Sequence, residues 1–305
     1  MRRPRARVIA AVLMAVSATP SAQQQAPTMF RTGVDAVMID VSVFTGNMAV
    51  ANLTAADFIV TDNGVAQTVT TAGVEALPVD LTLVLDASGS MTSVIDRVQR
   101  DVRTIAQGLR PDDGLRVITF ATLVSSQGLM RASQAGAVNL PETGGSTSFY
   151  NALLSALIVA RRTGTADRRQ LVVAMSDTDD STSLLGPKDV QNAAATSDAV
   201  LHLFKVSAPY GSIPAAGWHP YWMSSDPAVL TALAEQTGGQ AYFGQVATDI
   251  PSKVAQVLAA FRTSYVLRYT ATGVKPEGWH DVVIRVNKPG KFTVRAKKGY
   301  VGVSR

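Results

Sequence analysis

Val79-Asp80-Leu81-Thr82-Leu83-Val84-Leu85-Asp86-Ala87-Ser88-Gly89-Ser90 is the stretch on which the reading of this chain turns. Val79 to Leu85 is a predominantly apolar run, the pattern of a parallel strand covered on both faces. It ends in a carboxylate, two hydroxyls and a glycine. Residues 91–109 then carry Val94, Val98, Val102, Ile105 and Leu109 at helical spacing. A strand, a polar loop and a helix in that order place Asp86, Ser88 and Ser90 at the carboxyl end of a parallel strand.

Outward from this unit the rhythm continues. Leu115 to Phe120 reads as the next strand, and Thr122 to Leu129 as an antiparallel edge. Tyr150 to Ala160 reads as a helix and Leu171 to Met175 as a second fully buried strand. Asp189 to Thr196 reads as a helix and Val200 to Val206 as a strand. Helices at 226–236 and 249–262 surround a short strand at Gln240 to Phe243. This alternation over residues 78–262 predicts an α/β fold with a doubly wound, mostly parallel, Rossmann-like sheet.

The flanks are β-like. Val37, Ile39, Val41 and Val43 alternate, and Asp62-Asn63-Gly64 separates two short apolar runs, a hairpin signal. Tyr265, Leu267 and Tyr269 alternate, as do Val282, Ile284 and Val286. The segments 23–77 and 263–305 are each too small to be robust alone. They are expected to pack together as one β module into which the α/β domain is inserted.

Residues 1–22 have the form of a secretory signal: a basic start, the apolar run Val8 to Val16, then small residues, with cleavage after Ala22 or Ala18. Arg2-Arg3 hints at twin-arginine export. This leader predicts a secreted or periplasmic protein with no integral membrane segment once it is removed. It also explains the charge. The formal net of +5 includes Arg2, Arg3, Arg5 and Arg7; without them 24 basic residues face 23 acidic ones, a net of +1. Nucleic-acid binding argued from a high isoelectric point loses its support. The chain has no cysteine, which excludes disulfides, thiolate metal sites and cysteine nucleophiles.

A hard divalent cation such as Mg²⁺ takes about six oxygen ligands and keeps some of its water. The Asp86-x-Ser88-x-Ser90 loop offers such oxygens, with Gly89 allowing a tight turn. Serine hydroxyls add no charge, so a cation held by them stays electron-poor and favours an acidic group from outside. Two further segments join the set. Gly144-Gly145-Ser146-Thr147 precedes the helix near Tyr150 and presents the Thr147 hydroxyl, and Ser176-Asp177 ends the strand Leu171 to Met175. The first strand and that strand flank the switch point of a doubly wound sheet, where ligands bind. Each residue alone has a plainer reading as a turn or helix cap.

Together these residues make residues 79–262 resemble the von Willebrand factor type A family and its metal-ion-dependent adhesion site, with Asp86-Ala87-Ser88-Gly89-Ser90-Met91 the most specific piece. The resemblance implies that Ser88, Ser90 and Thr147 touch the metal directly and that Asp86 and Asp177 act mainly through water. Mg²⁺ is the first expectation, with Mn²⁺ and Ca²⁺ as alternatives. The flanks Leu53-Thr54-Ala55-Ala56-Asp57-Phe58 and Lys297-Lys298-Gly299-Tyr300 are similar to segments of exported bacterial members. Two positions depart from the pattern: Thr178 follows Asp177 where glycine is usual, and Ser146 stands where a second glycine is common. Asp179 and Asp180 either raise metal affinity or favour Ca²⁺, or are solvated loop acids.

The segment Ser207 to Met223 carries Trp218, His219, Tyr221 and Trp222, which either contact a partner or bury themselves in their own loop. His202, His219 and His280 have no metal-ligand spacing and no evident carboxylate companion; His202 is expected to be structural. Gly-x-Ser-x-Gly, Gly-x-Gly-x-x-Gly and phosphate-loop motifs are absent. The basic pairs Arg161-Arg162, Arg168-Arg169 and Lys297-Lys298 are expected at the solvated surface. The expectation is a non-enzymatic, metal-dependent adhesion or assembly module that recognises an Asp or Glu of a protein partner. The alternatives are a metal-dependent phosphoester hydrolase using Asp179 or Asp180, and a metal-free scaffold.

Overall fold

The computed structural model describes residues 36–46, 48–165, 167–206, 225–244 and 249–302. The leader and Trp218, His219, Tyr221 and Trp222 lie outside these residues.

Alternation at the N-terminal flank builds β1 (Ala36–Thr45), whose Ile39, Val41 and Val43 are buried while its other face is not. β2 (Met48–Ala49) folds back on it. β3 (Phe58–Asp62) and β4 (Val65–Gln67) form a hairpin closed by Asn63 and Gly64, with φ of 47° and 80°. Positive φ at both central positions is what a tight two-residue hairpin turn requires. β5 (Val69–Val74) follows.

The chain then enters the α/β domain. β6 (Val79–Asp86) is buried at every position, as are β7 (Gly114–Phe120) and β10 (Arg169–Ser176), which pair with it in parallel on its two sides. β8 (Val124–Ser126) and β9 (Met130–Arg131) run antiparallel to β7. β11 (Val200–Lys205) and β12 (Ala241–Tyr242) extend the sheet beyond β10. The strand order β12-β11-β10-β6-β7-β8 reverses direction of progress between β6 and β10. That is the switch point, and the carboxyl ends of its two strands carry Asp86 and Ser176.

Period-2 alternation along the strands feeds two apolar layers. Leu81, Leu83 and Leu85 pack with Val98 and Val102 of α1 (Ile95–Gln107) and with Val254, Leu258 and Phe261 of α5 (Ile250–Arg262). Val84, Val172 and Ala174 point to the other face. There they meet Leu153 and Leu157 of α2 (Phe149–Thr163), Val190 of α3 (Pro187–Thr196) and Leu230 of α4 (Pro227–Gln236). Helices on both faces make the sheet doubly wound.

After α5 the chain returns to β structure. β13 (Tyr265–Thr270) and β15 (Thr293–Ala296) flank β1 in the order β15-β1-β13-β5. β14 (Gly278–Val286) and β16 (Gly299–Gly302) join the hairpin in the order β16-β14-β3-β4. The two sheets enclose Ile39, Val41, Phe58, Val60, Tyr265, Leu267 and Ile284. The β module is thus made from both ends of the chain, as its two short halves demand.

Two expectations need correction. Arg169 and Lys297 are not solvated. Arg169 is 6% exposed; it donates to the Phe261 carbonyl at 2.6 Å and to Ser264 Oγ at 2.5 Å, and pairs with Asp40 at 2.6 Å. Lys297 Nζ reaches the Ser197 carbonyl at 2.7 Å. Arg168 pairs with the buried Asp80. Arg169 and Lys297 sit where the β module meets the α/β domain, so carbonyls and acids across that seam claim them. His280 also has a carboxylate: its Nδ1 lies 2.7 Å from Asp62 Oδ1, and both residues are buried. Separated by 218 positions, they meet only because β3 and β14 pair.

His202 on β11 is 8% exposed and stacks on Tyr242 with ring centroids 6.0 Å apart. Burial first, and Arg295 second, hold its pKa down at about 3. Below pH about 6.5 an unfolded chain protonates this histidine while the folded chain does not. The stability linked to it is therefore present above pH 6.5 and drains away as pH falls towards 3. Urea unfolding of His202→Phe should show a smaller loss of stability between pH 6.5 and pH 4, by roughly 2–3 kcal/mol. Parallel pH profiles for both proteins would refute the assignment.

A candidate cation site at the switch point

Three loops meet above the carboxyl ends of β6 and β10. The loop after β6 and the loop before α2 are tied by backbone hydrogen bonds: Gly144 N donates to the Ala87 carbonyl at 3.0 Å, and Gly89 N to the Gly145 carbonyl at 3.2 Å. Gly145 has φ +74°, and a Cβ there would sit 2.5 Å from Thr122 Oγ1. That hydroxyl accepts from Ser146 N at 3.0 Å, so glycine is needed at 145 while serine is tolerated at 146. The third loop joins through Ser176, whose Oγ donates to Asp86 Oδ2 at 2.5 Å.

Asp86 is fully buried, and its other oxygen accepts from Ser88 N at 2.9 Å. Ser88 Oγ and Ser90 Oγ lie 3.0 Å apart. Thr147 is 5% exposed; its backbone is pinned by bonds from Ser181 and Thr182 to its carbonyl, and by its own N–H to Ser181 Oγ at 2.9 Å. Asp177 is half-buried and accepts from Asp179 N at 3.1 Å. The five oxygen-bearing residues read from the sequence are therefore carried by loops that hydrogen-bond to one another. The sequence reading missed Ser176, although a serine closing a buried strand beside Asp177 was the available signal.

The electrostatics are one-sided. Desolvation, and then the nearby Asp177 carboxylate, raise the Asp86 pKa to about 6. Among the described residues neither Asp86 nor Asp177 forms an ion pair with a lysine or arginine. Two acids without a cation, beside two adjacent hydroxyls, fit the needs of a hard divalent ion. Among the described residues no three His, Cys, Asp or Glu side chains are grouped to hold a metal, so such a site must draw on hydroxyls.

Asp180 is not merely solvated but is hydrogen-bonded within the protein. Its Oδ2 accepts from Tyr150 N at 3.0 Å and Ser183 Oγ at 2.6 Å, and Oδ1 from Ser183 N at 3.2 Å. It caps the first turn of α2, where a carboxylate satisfies a free N–H.

Thr178 has a backbone conformation usual for glycine. Its φ is +71°, a left-handed conformation that β-branched residues rarely adopt, and its buried Oγ1 has no hydrogen-bond partner. Thr178→Gly should relieve both penalties and raise stability by about 1 kcal/mol, after allowing for glycine's greater unfolded-state freedom. A urea midpoint equal to or below that of the parent would show that the loop is not strained there.

Compared by sequence, the chain matches no family model and no curated protein. By fold it is similar to a von Willebrand factor type A structure from Catenulispora acidiphila, at 10% identity and a TM-score of 0.48, over 84% of this chain and 71% of that one. It is also similar to the manganese-loaded TRAP protein of Plasmodium vivax, at 14% identity and a TM-score of 0.43, over 79% of this chain and 97% of that one. A third is the conserved hypothetical protein BatB from Bacteroides thetaiotaomicron, at 13% identity and a TM-score of 0.42, over 60% of this chain and 98% of that one. By its own strand order and two-sided helix cover, this chain carries the doubly wound α/β fold that its sequence resemblance to the von Willebrand factor type A family implies.

Proposed function

We propose that the chain is an exported, non-enzymatic adhesion or assembly module that holds a divalent cation at the switch point and recognises an Asp or Glu of a protein partner. The observation that carries this reading is Asp86. It is a fully buried carboxylate, hydrogen-bonded to its own loop through Ser88 N and to the end of β10 through Ser176, close to a second acid, and among the described residues no lysine or arginine is ion-paired to either. Buried charge without a counter-charge is costly, and the fold keeps the half-buried Asp177 beside the buried Asp86. Ser88, Ser90 and Thr147 would bind the ion directly, with Asp86 and Asp177 acting mainly through water. Mg²⁺ fits the oxygen-only donors best, and Mn²⁺ or Ca²⁺ would be accepted by the same set.

When bound, the cation would supply a Lewis-acidic centre able to attract an external carboxylate. The residues do the rest. The neutral hydroxyls leave the ion's charge largely uncancelled, Ser176 and Ser88 N orient Asp86, and Thr147 is fixed by Ser181. Asp180 is occupied as a helix cap, which leaves the hydrolase alternative without one of its two candidate bases. The basic leader followed by an apolar run supports export.

The test is capture from the producing cell's envelope on immobilised protein. Partner proteins should be retained in Mg²⁺, released by EDTA, and not retained by Asp86→Ala. Retention that ignores both chelation and Asp86→Ala would sink this reading.

A further inference from the structure

A cavity of about 530 Å³ lies far along the chain from the cation loops, where the β module faces the α/β domain. One wall is the outward face of β1 and β15, carrying Phe44 and Arg295; the Arg295 guanidinium lies 4.8 Å from the Phe44 ring centroid. The opposite wall comes from β11 and β12, whose His202 and Tyr242 rings stack nearly parallel, 18° apart. α5 contributes Lys253, with Nζ 5.5 Å from the Tyr242 centroid and 3.2 Å from Gln256 Oε1.

Its charge is uneven. Among the described residues neither Arg295 nor Lys253 has a carboxylate partner. The lining acid Asp40 is already committed to Arg169 at 2.6 Å. His202 Nδ1 is buried with no hydrogen-bond partner, on a side chain only 8% exposed. Burial and the neighbouring Arg295 keep that imidazole neutral, so it adds no positive charge to the wall. Pockets of this size, placed between domains with flat aromatic walls and a few converging polar groups, suit small organic ligands.

We infer that this cavity binds a small organic carboxylate with a planar apolar body, the carboxylate lying between Arg295 and Lys253 and the ring plane against His202 and Tyr242. Guanidinium and ammonium groups supply charge-assisted hydrogen bonds. The exposed parts of the Phe44 and Tyr242 rings take the apolar body, beside the Arg295, Lys253 and Phe204 groups that already meet those rings. The site is separate from the cation loops in its residues and in its chemistry, and nothing in it depends on the proposed adhesion function.

The probes are indole-3-acetate and its uncharged counterpart indole-3-acetamide, titrated calorimetrically into the full chain in EDTA. Indole-3-acetate should bind at a single site, about tenfold or more tighter than the amide. Arg295→Gln and Lys253→Gln should each weaken it about fivefold or more, while Asp86→Ala leaves it unchanged. Lys253 is half-buried on a helix, so its variant keeps the test open if Arg295→Gln fails to fold. Equal affinity for acid and amide, no saturable binding of the acid, unchanged binding in Lys253→Gln, or loss of binding in Asp86→Ala would each overturn the inference.

Discussion

Saturating Mg²⁺ should raise the stability of this protein by about 2.7 kcal/mol at one hundred times its Kd, and Asp86→Ala or Asp177→Ala should erase the effect. An ion that binds only the folded chain stabilises it by mass action, which for a chain of this size is a shift of about 4–5 °C in Tm. Both acids are needed because the hydroxyls of Ser88, Ser90 and Thr147 bring no charge. Asp180→Ala is the control. It removes a cap of α2 and costs about 1 kcal/mol, yet should leave the Mg²⁺ shift intact. An unchanged shift in both Asp86→Ala and Asp177→Ala would move the ion elsewhere and remove the foundation of the adhesion reading.

Asp62→Ala should cost about 3–5 kcal/mol without touching the Mg²⁺ response. Asp62 is fully buried between the sheets of the β module. Its Oδ2 accepts from Tyr269 Oη at 3.1 Å and Tyr300 Oη at 2.8 Å, and Oδ1 faces His280 Nδ1 at 2.7 Å. Removing the carboxylate leaves the buried Tyr269 and His280 and the part-buried Tyr300 without their acceptor, which is worse than never having built the network. The same carboxylate adds to burial in raising the pKa of both tyrosines. Their protonated state favours the fold, so this stability is complete below pH about 10 and drains away at higher pH as unfolded tyrosines ionise. Urea unfolding of Asp62→Ala, Tyr269→Phe and Tyr300→Phe measures these effects. A cost for Asp62→Ala near that of either tyrosine variant alone would mean that the network does not act as a unit.

Periodicity carried most of the fold. Helices α1 to α5 and the strands β6, β7, β10 and β11 follow from where apolar residues recur, because a strand buried on both faces and a helix buried on one leave different spacings. The Asn63-Gly64 turn was legible for a related reason: few residues accept positive φ twice in succession. The five candidate cation residues could be named from the sequence because they lie on loops that follow a buried strand or precede a helix at one edge of the sheet. The environment of each was not. Asp180 reads like Asp179, and only the position of Tyr150 N makes it a cap. Thr178 reads as a missing glycine, whereas its backbone has a conformation usual for glycine.

Local order along the chain was enough to determine the α/β class, the switch point and the oxygen-bearing loops, since all three depend on period and on which residues follow a buried strand. Tertiary structure alone decided the pairings between distant residues. It joined Asp62 to His280, drew Arg169 and Lys297 into the seam between domain and module, and set Arg295 across a cavity from His202. Those outcomes depend on which strand lies beside which after the two ends of the chain come together, and no local pattern encodes that distance.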